Sequence, residues 1–227
     1  LQTDPNHSDG LHLLGVTAHQ AGENDRAADL ITKALTIRPD FAEAHSNLGL
    51  TFQKLERLDD AVSHYHKAID INPNYPEVRN NLGNTLHELQ RQNEAIVHYQ
   101  KAISNKPDYA EAYYNWGNAL KAEGNLDDAS SYYRKAIDIK PDFSEAHYNL
   151  GVVLMMMGEP IRAFEYMGNS ITIDPNNSQF WSGYGRCLEE IKFTSFEDKR
   201  SQQLLRMLEQ HTVMPKRVAK AISSLLH

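Results

Sequence analysis

Between Pro76 and Tyr109 the apolar positions Val78, Leu82, Leu86 and Leu89 return at helical intervals, and after a polar break Ala95, Ile96, Tyr99, Ala102 and Ile103 do so again. This pattern predicts two short amphipathic helices joined by the polar turn Gln90 to Asn93. Pro76 suits the first turn of the first helix, where a missing N–H costs no hydrogen bond. Lys106-Pro107-Asp108 closes the second helix, because proline cannot continue it. The same alternation is repeated along most of the chain. Asp25, Asp59, Asn93 and Asp127 stand where each second helix is expected to begin, and their side-chain oxygens are expected to cap its free backbone donors.

Small and rigid residues mark the same period independently. Gly15, Gly49, Gly83, Gly117, Gly151 and Gly185 recur every 34 residues, and Pro5, Pro39, Pro73, Pro107, Pro141 and Pro175 keep that interval ten positions earlier. Ala27, Ala61, Ala95, Ala129 and Ala163 form a third column, and Ala34, Ala68, Ala102, Ala136 and Ser170 a fourth. A constant period of this length identifies a solenoid of stacked hairpins, and the small columns allow helices to approach closely.

The unit resembles the tetratricopeptide repeat: Leu82-Gly83, Ala95, Tyr99, Ala102 and Pro107 reproduce its Leu-Gly pair, its spaced small and aromatic positions and its closing proline. The resemblance implies an all-α, right-handed superhelical solenoid with full repeats at 8–41, 42–75, 76–109, 110–143 and 144–177. Residues 1–7 read as the tail of a truncated preceding repeat, and 178–211 as a degenerate sixth one opened by Trp181, Tyr184, Gly185 and Leu188, with Glu197 in a small-residue position. Ser195 to Asp198 resembles a capping box opening a helix through Leu204, Leu205 and Leu208. Pro215 opens a further helix with Val218, Ile222, Leu225 and Leu226, so 212–227 is expected to be a cap or a linker to a further domain.

Composition removes several functions. The net charge is −7 with dispersed Lys and Arg, which leaves no electrostatic footprint for nucleic acid. The longest apolar run, Val152 to Met157, is far below the length of a membrane span. A lone cysteine, Cys187, falls in the column of Thr17, Thr51, Thr85, Ala119 and Val153 and reads as a packed small residue. Histidines are numerous, but His64 and His66 point to opposite sides of a helix, His64 and His98 share a column, and so do His45 and His147. Phosphate loops, zinc-binding motifs and nucleophile elbows do not occur. The expectation is a non-enzymatic, cytoplasmic module with no cofactor and no metal.

One column exceeds what packing requires. Asn47, Asn81, Asn115 and Asn149 stand two residues before successive glycines, although Asn in a helix interior costs about 0.5 kcal/mol relative to Ala. In tetratricopeptide proteins the first helices line a concave groove, so the resemblance implies that this ladder faces inward. A carboxamide offers two donors and an acceptor, matching the main chain of an extended peptide. The neighbouring positions Ser46, Leu50, Asn80, Asn84, Tyr114, Asn118, Tyr148 and Val152 share that face, with His87 and Lys121 one turn further on. The candidate partner-binding residues are therefore Asn47, Asn80, Asn81, Asn84, His87, Tyr114, Asn115, Asn118, Lys121, Tyr148 and Asn149, with Met155 and Met156 as further contacts. An asparagine network that only rigidifies the stack is the competing explanation. In the first repeat Leu13 takes the place of the asparagine.

The ladder is similar to that of the arrays preceding the catalytic half of O-linked N-acetylglucosamine transferases and of bacterial transferases fused to such repeats. This likeness implies a substrate-recruiting region as one alternative, and a self-assembling scaffold or homo-oligomer is another. A chaperone-tail carboxylate clamp is disfavoured, since Ser46, Asn80, Asn81 and Asn115 occupy its cationic places. Asp9, Glu43, Glu77, Glu111 and Glu145 open the first helices, where a carboxylate suits the positive helix end. They add the expectation of a partner segment carrying Lys or Arg.

Overall fold

The computed structural model describes residues 7–190, all of whose regular elements are α-helices. The chain divides into two compact units, 1–119 and 120–227. The first contains the pairs α1 (Ser8–Gln20) and α2 (Asn24–Ile37), α3 (Ala42–Lys54) and α4 (Leu58–Ile71), and α5 (Pro76–Glu88) and α6 (Gln92–Asn105), followed by most of α7 (Ala110–Ala122). The second contains the end of α7, then α8 (Leu126–Ile139), α9 (Ser144–Met156), α10 (Pro160–Ile173) and α11 (Ser178–Glu190). Within each unit a hairpin packs its two helices together and lays its second helix on the first helix of the next, as in α1·α2·α3 and α9·α10·α11. The predicted elements after residue 190, including the capping box and the terminal helix, lie outside the described residues.

The small columns do what close packing demands. All five residues of the Ala27 column, and all five of the Ala34 column including Ser170, are completely buried. At Gly49 and Gly83 the room taken from a side chain is filled by the rings of Tyr65 and Tyr99, and at Gly151 by Met167. Tyr65 donates its hydroxyl to Gln53, and Tyr99 donates to Asn84 Oδ1 at 2.8 Å, so the buried phenols keep hydrogen-bond partners. Around them Ile31, Leu48, Leu82 and Leu86 form one continuous core in the first unit.

The turn between paired helices differs from expectation by two residues. Asp25, Asp59, Asn93 and Asp127 lie inside the first turn of α2, α4, α6 and α8, and the N-cap positions belong to Glu23, Arg57, Arg91 and Asn125. The shift follows from how the preceding helix ends. Gly22, Glu56, Gln90, Gly124 and Gly158 adopt left-handed φ, and the next N–H returns to a carbonyl five residues back, as Glu23 does to Ala18 and Arg91 to Leu86. This Schellman closure consumes the residues the capping reading assigned to the turn. Of these four N-caps, only Asn125 caps with its own side chain. Arg57 and Arg91 pair with Asp60 and Glu94 in the first turn.

Candidate functional site

The ladder asparagines are all half-buried on the first helices of their hairpins, but their surroundings differ. Asn47 donates from Nδ2 to His12 Nε2 at 2.8 Å, and His12 is itself buried edge-on against Phe41. Asn115 donates from Nδ2 to Asn80 Oδ1 at 3.0 Å, and Asn80 is only 4% exposed. Both bonds join a ladder amide to the residue one place before the ladder in the preceding hairpin. Asn81 has Ser46 at that place, whose hydroxyl bonds Tyr75 instead, and its carboxamide makes no hydrogen bond among the described residues. In the second unit Asn149 Oδ1 accepts from Lys121 Nζ at 3.3 Å, and burial lowers the Lys121 pKa from its usual range. Where two carboxamides meet, the competing explanation of a stack-rigidifying network is thus physically present, with Asn81 outside it.

The remaining candidates are equally divided. The Asn84 oxygen receives Tyr99, leaving its NH2 for other contacts. Tyr114 and Asn118 are half-buried. His87 is half-buried with Nδ1 enclosed and without a hydrogen bond. Tyr148 does not provide the expected stacking surface: it is 5% exposed, lies over Gly183 where no side chain intervenes, and packs on Phe180 at 5.0 Å between ring centroids. The acidic column is also partly engaged, since Asp9 pairs with Arg38 at 2.7 Å and Glu77 with Lys106 at 3.2 Å. These pairs neutralise two of the five carboxylates on which the expectation of a basic partner rests.

The histidine columns have a structural use that the sequence concealed. His45 and His147 donate from Nε2 to the carbonyls of Pro39 and Pro141, both at 2.9 Å. At the same repeat position Arg79 donates to Pro73 at 2.8 Å and Trp181 donates from Nε1 to Pro175 at 2.7 Å. Three chemically different side chains therefore tie α3, α5, α9 and α11 to the proline turn that precedes each. The signal was a column of N–H donors of unlike identity, which residue-by-residue comparison does not reveal.

With His45 Nε2 donating, its Nδ1 holds a lone pair toward His64 Nδ1, 3.0 Å away. Burial first, and then His45, Lys67 and Arg57 against the opposing Asp60, push His64 down to about 4. Burial and His66 do the same to His98, also to about 4. Both imidazoles are neutral in the native state and protonate readily when unfolded. Their contribution is therefore complete above pH 6.5 and lost as pH falls from 6.5 toward 4. The melting temperature should drop across that window, and His64→Phe with His98→Phe should flatten the drop. An unchanged slope in thermal scans at stepped pH would contradict this assignment.

Cys187 is buried and directs its thiol to the Pro160 carbonyl at 3.2 Å, and burial pushes its pKa up to about 12, so it lacks the thiolate character of a nucleophile. Among the described residues no group of three or more His, Cys, Asp or Glu could hold a metal ion, and no helix is long and apolar enough to cross a membrane.

Comparison with known proteins agrees with this architecture. Tetratricopeptide repeat models match residues 11–43, 42–75, 64–97 and 144–177, and a TPR repeat model matches 83–124 and 117–158. No curated protein matches the chain. Among solved structures, MamA is similar at 25% identity over 76% of this chain and 94% of that one, with a TM-score of 0.66. The pilF protein of Pseudomonas aeruginosa aligns at 21% identity over 96% and 97%, with a TM-score of 0.74. YrrB, described as a TPR protein with an unusual peptide-binding site, aligns at 23% identity over 79% and 92%, with a TM-score of 0.62. With family models spanning 11–177 and the repeat geometry present in both units, the chain belongs to the tetratricopeptide repeat family, whose members act as protein-interaction modules.

Proposed function

We propose that this chain holds an extended segment of a partner protein against the first-helix face of its repeats, with Asn81 as the principal amide contact. The observation that carries this reading is the Asn81 carboxamide: half-buried, in register with Asn47 and Asn115, and free of internal hydrogen bonds among the described residues. Asn115 and Asn84 spend one polar atom each inside the stack and retain others, so they serve as secondary contacts, whereas Asn80 is buried and bonded to both Asn115 and Tyr109 and is withdrawn from the contact set. His87, Tyr114 and Asn118 border the same face. A net hydrogen bond contributes about 0.5 to 1.5 kcal/mol, and a row of them on main-chain atoms gives affinity with little dependence on partner sequence. Lys or Arg in the partner would find Glu43 and Glu145, which are exposed and outside any ion pair among the described residues.

The test separates contact from scaffolding. A partner captured with the full chain is reduced by peptide mapping to its bound segment, and that peptide is titrated calorimetrically. Asn81→Ala should weaken it about five- to tenfold with an unchanged melting temperature. Asn115→Ala should lower the melting temperature by removing the donor to buried Asn80 Oδ1, a loss of about 1 kcal/mol. Unaltered affinity in Asn81→Ala would overturn the reading and leave the asparagines a structural network.

A further inference from the structure

We infer that the first unit carries a subsite for one lysine or arginine side chain of the partner segment, bounded by the Glu43 carboxylate and the Tyr75 ring; this rests on the groove reading above and names the residue the partner brings to it. Other hairpins complete the same arrangement from within the chain. The residue that follows α2, α4, α6 and α8 is Arg38, Asn72, Lys106 and Lys140 in turn. Arg38 pairs at 2.7 Å with Asp9, the carboxylate that opens its hairpin, and its guanidinium carbon lies 3.4 Å from the centre of the Phe41 ring. Lys106 repeats both contacts, with Glu77 at 3.2 Å and the Tyr109 ring at 4.8 Å. Lys140 lies over Phe143, again at 4.8 Å. The carboxylate and the electron-rich ring face attract the same positive charge.

The second hairpin keeps the acid and the ring, as Glu43 and Tyr75, but puts the neutral Asn72 in the place of the cation. Glu43 and Tyr75 are the residue types of Glu77 and Tyr109, so the side chain that suits them is the kind Lys106 supplies. Glu43 is exposed and Tyr75 half-buried, and neither meets a cation among the described residues. The cations of the flanking hairpins are committed, Arg38 to Asp9 and Phe41, Lys106 to Glu77 and Tyr109. Glu43 and Glu77 are the charges that act on Tyr75. Lys106 balances Glu77, which leaves one uncompensated negative charge beside the ring. The fifth hairpin offers no such site next to Glu145, because Asp174 and Asn177 replace the cation and the ring. Tyr75 also bonds Ser46, which stands to Asn81 as His12 stands to Asn47 and Asn80 to Asn115. The subsite therefore adjoins the unbonded Asn81 carboxamide, and a segment whose main chain meets Asn81 can direct a basic side chain to Glu43 and Tyr75.

The experiment supplies the cation from inside the chain. Asn72 has φ −124° and ψ 92°, close to −141° and 88° at Lys106, so Asn72→Lys starts from the backbone that carries Lys106 into its contacts and should not lower the melting temperature. Dodecapeptides selected from a random phage-displayed library on the full chain are titrated calorimetrically. They should share a Lys or Arg, and its replacement by Gln should weaken binding about tenfold, the sum of an exposed ion pair and a cation–π contact. Asn72→Lys should weaken the basic peptide about as much and leave its Gln version unaffected, a coupling that a folding defect would not produce. Ser63→Lys adds the same charge at an exposed position of α4 and should change neither. Selected peptides without a common basic residue, failure to select any, equal binding of the basic peptide to the full chain and to Asn72→Lys, or an equal loss with Ser63→Lys each overturns the inference. A peptide that loses affinity with Asn81→Ala but not with Asn72→Lys removes the subsite and leaves the groove reading standing; the reverse keeps the subsite and removes Asn81 as the principal contact.

Discussion

Replacing Gly83 by leucine should cost about 3 kcal/mol of stability, read as a lower urea midpoint, with partner binding lost only as folding is lost. A Cβ at this position would stand 2.5 Å from Tyr99 Cε1 and within 3.0 Å of two further ring atoms, closer than packed carbons approach. The ring has nowhere to retreat. Tyr99 is fully buried in the first unit's core, and its hydroxyl is held by Asn84 at 2.8 Å. Relief would require either breaking that bond inside the core or prising α5 from α6, and overpacking of this kind costs about 1 to 3 kcal/mol even where some adjustment is possible. Since each hairpin of a solenoid contacts its neighbours alone, the damage should be local. Hydrogen exchange should accelerate first in α5 and α6. Gly49→Leu should behave alike, because Tyr65 covers Gly49 at the same 2.5 Å. An unchanged midpoint would mean that the tyrosine swings out freely and that the glycine column is not a packing requirement.

Trp181→Ala should be at least as severe for the second unit, at about 3 to 5 kcal/mol. Its indole is 2% exposed, meets Tyr184 edge-on, and donates to the Pro175 carbonyl at 2.7 Å. Truncation removes a large buried surface together with the tie between α11 and the turn before it. Two controls apportion the loss. Trp181→Phe keeps most of the apolar surface and should show the hydrogen bond alone, about 1 kcal/mol. Trp181→His restores a donor of the kind His147 supplies at the equivalent place, so it should bond Pro175 while leaving a smaller cavity than alanine. Protection of α10 and α11 amides is the readout. Wild-type protection in Trp181→Ala would show that the column of donors is ornamental.

Both predictions concern columns visible without coordinates, and they mark how far the chain alone can be read. The period of 34, the two helices per unit, the small residues at their crossing and the repeated asparagines are local or translationally repeated properties, set by helical spacing and by the volume of one side chain against its equivalent. These are determined by the sequence itself, and the buried alanine columns and the family matches agree with them. The capping expectation failed by two residues because a left-handed turn closed the preceding helix onto its own carbonyls, a choice made between two overlapping hydrogen-bond patterns.

What only the tertiary structure decided is which of the repeated polar groups are already engaged. Four asparagines look identical in register, yet His12 reaches Asn47, Asn80 reaches Asn115, Lys121 reaches Asn149, and Ser46 bonds Tyr75 rather than Asn81. Tyr148 was a groove residue by phase and became a core residue because Gly183 left room above it. Each outcome depends on the length and chemistry of a side chain from the adjoining hairpin. Periodicity says where such residues stand, and only packing says whether their hydrogen bonds and charges are already satisfied.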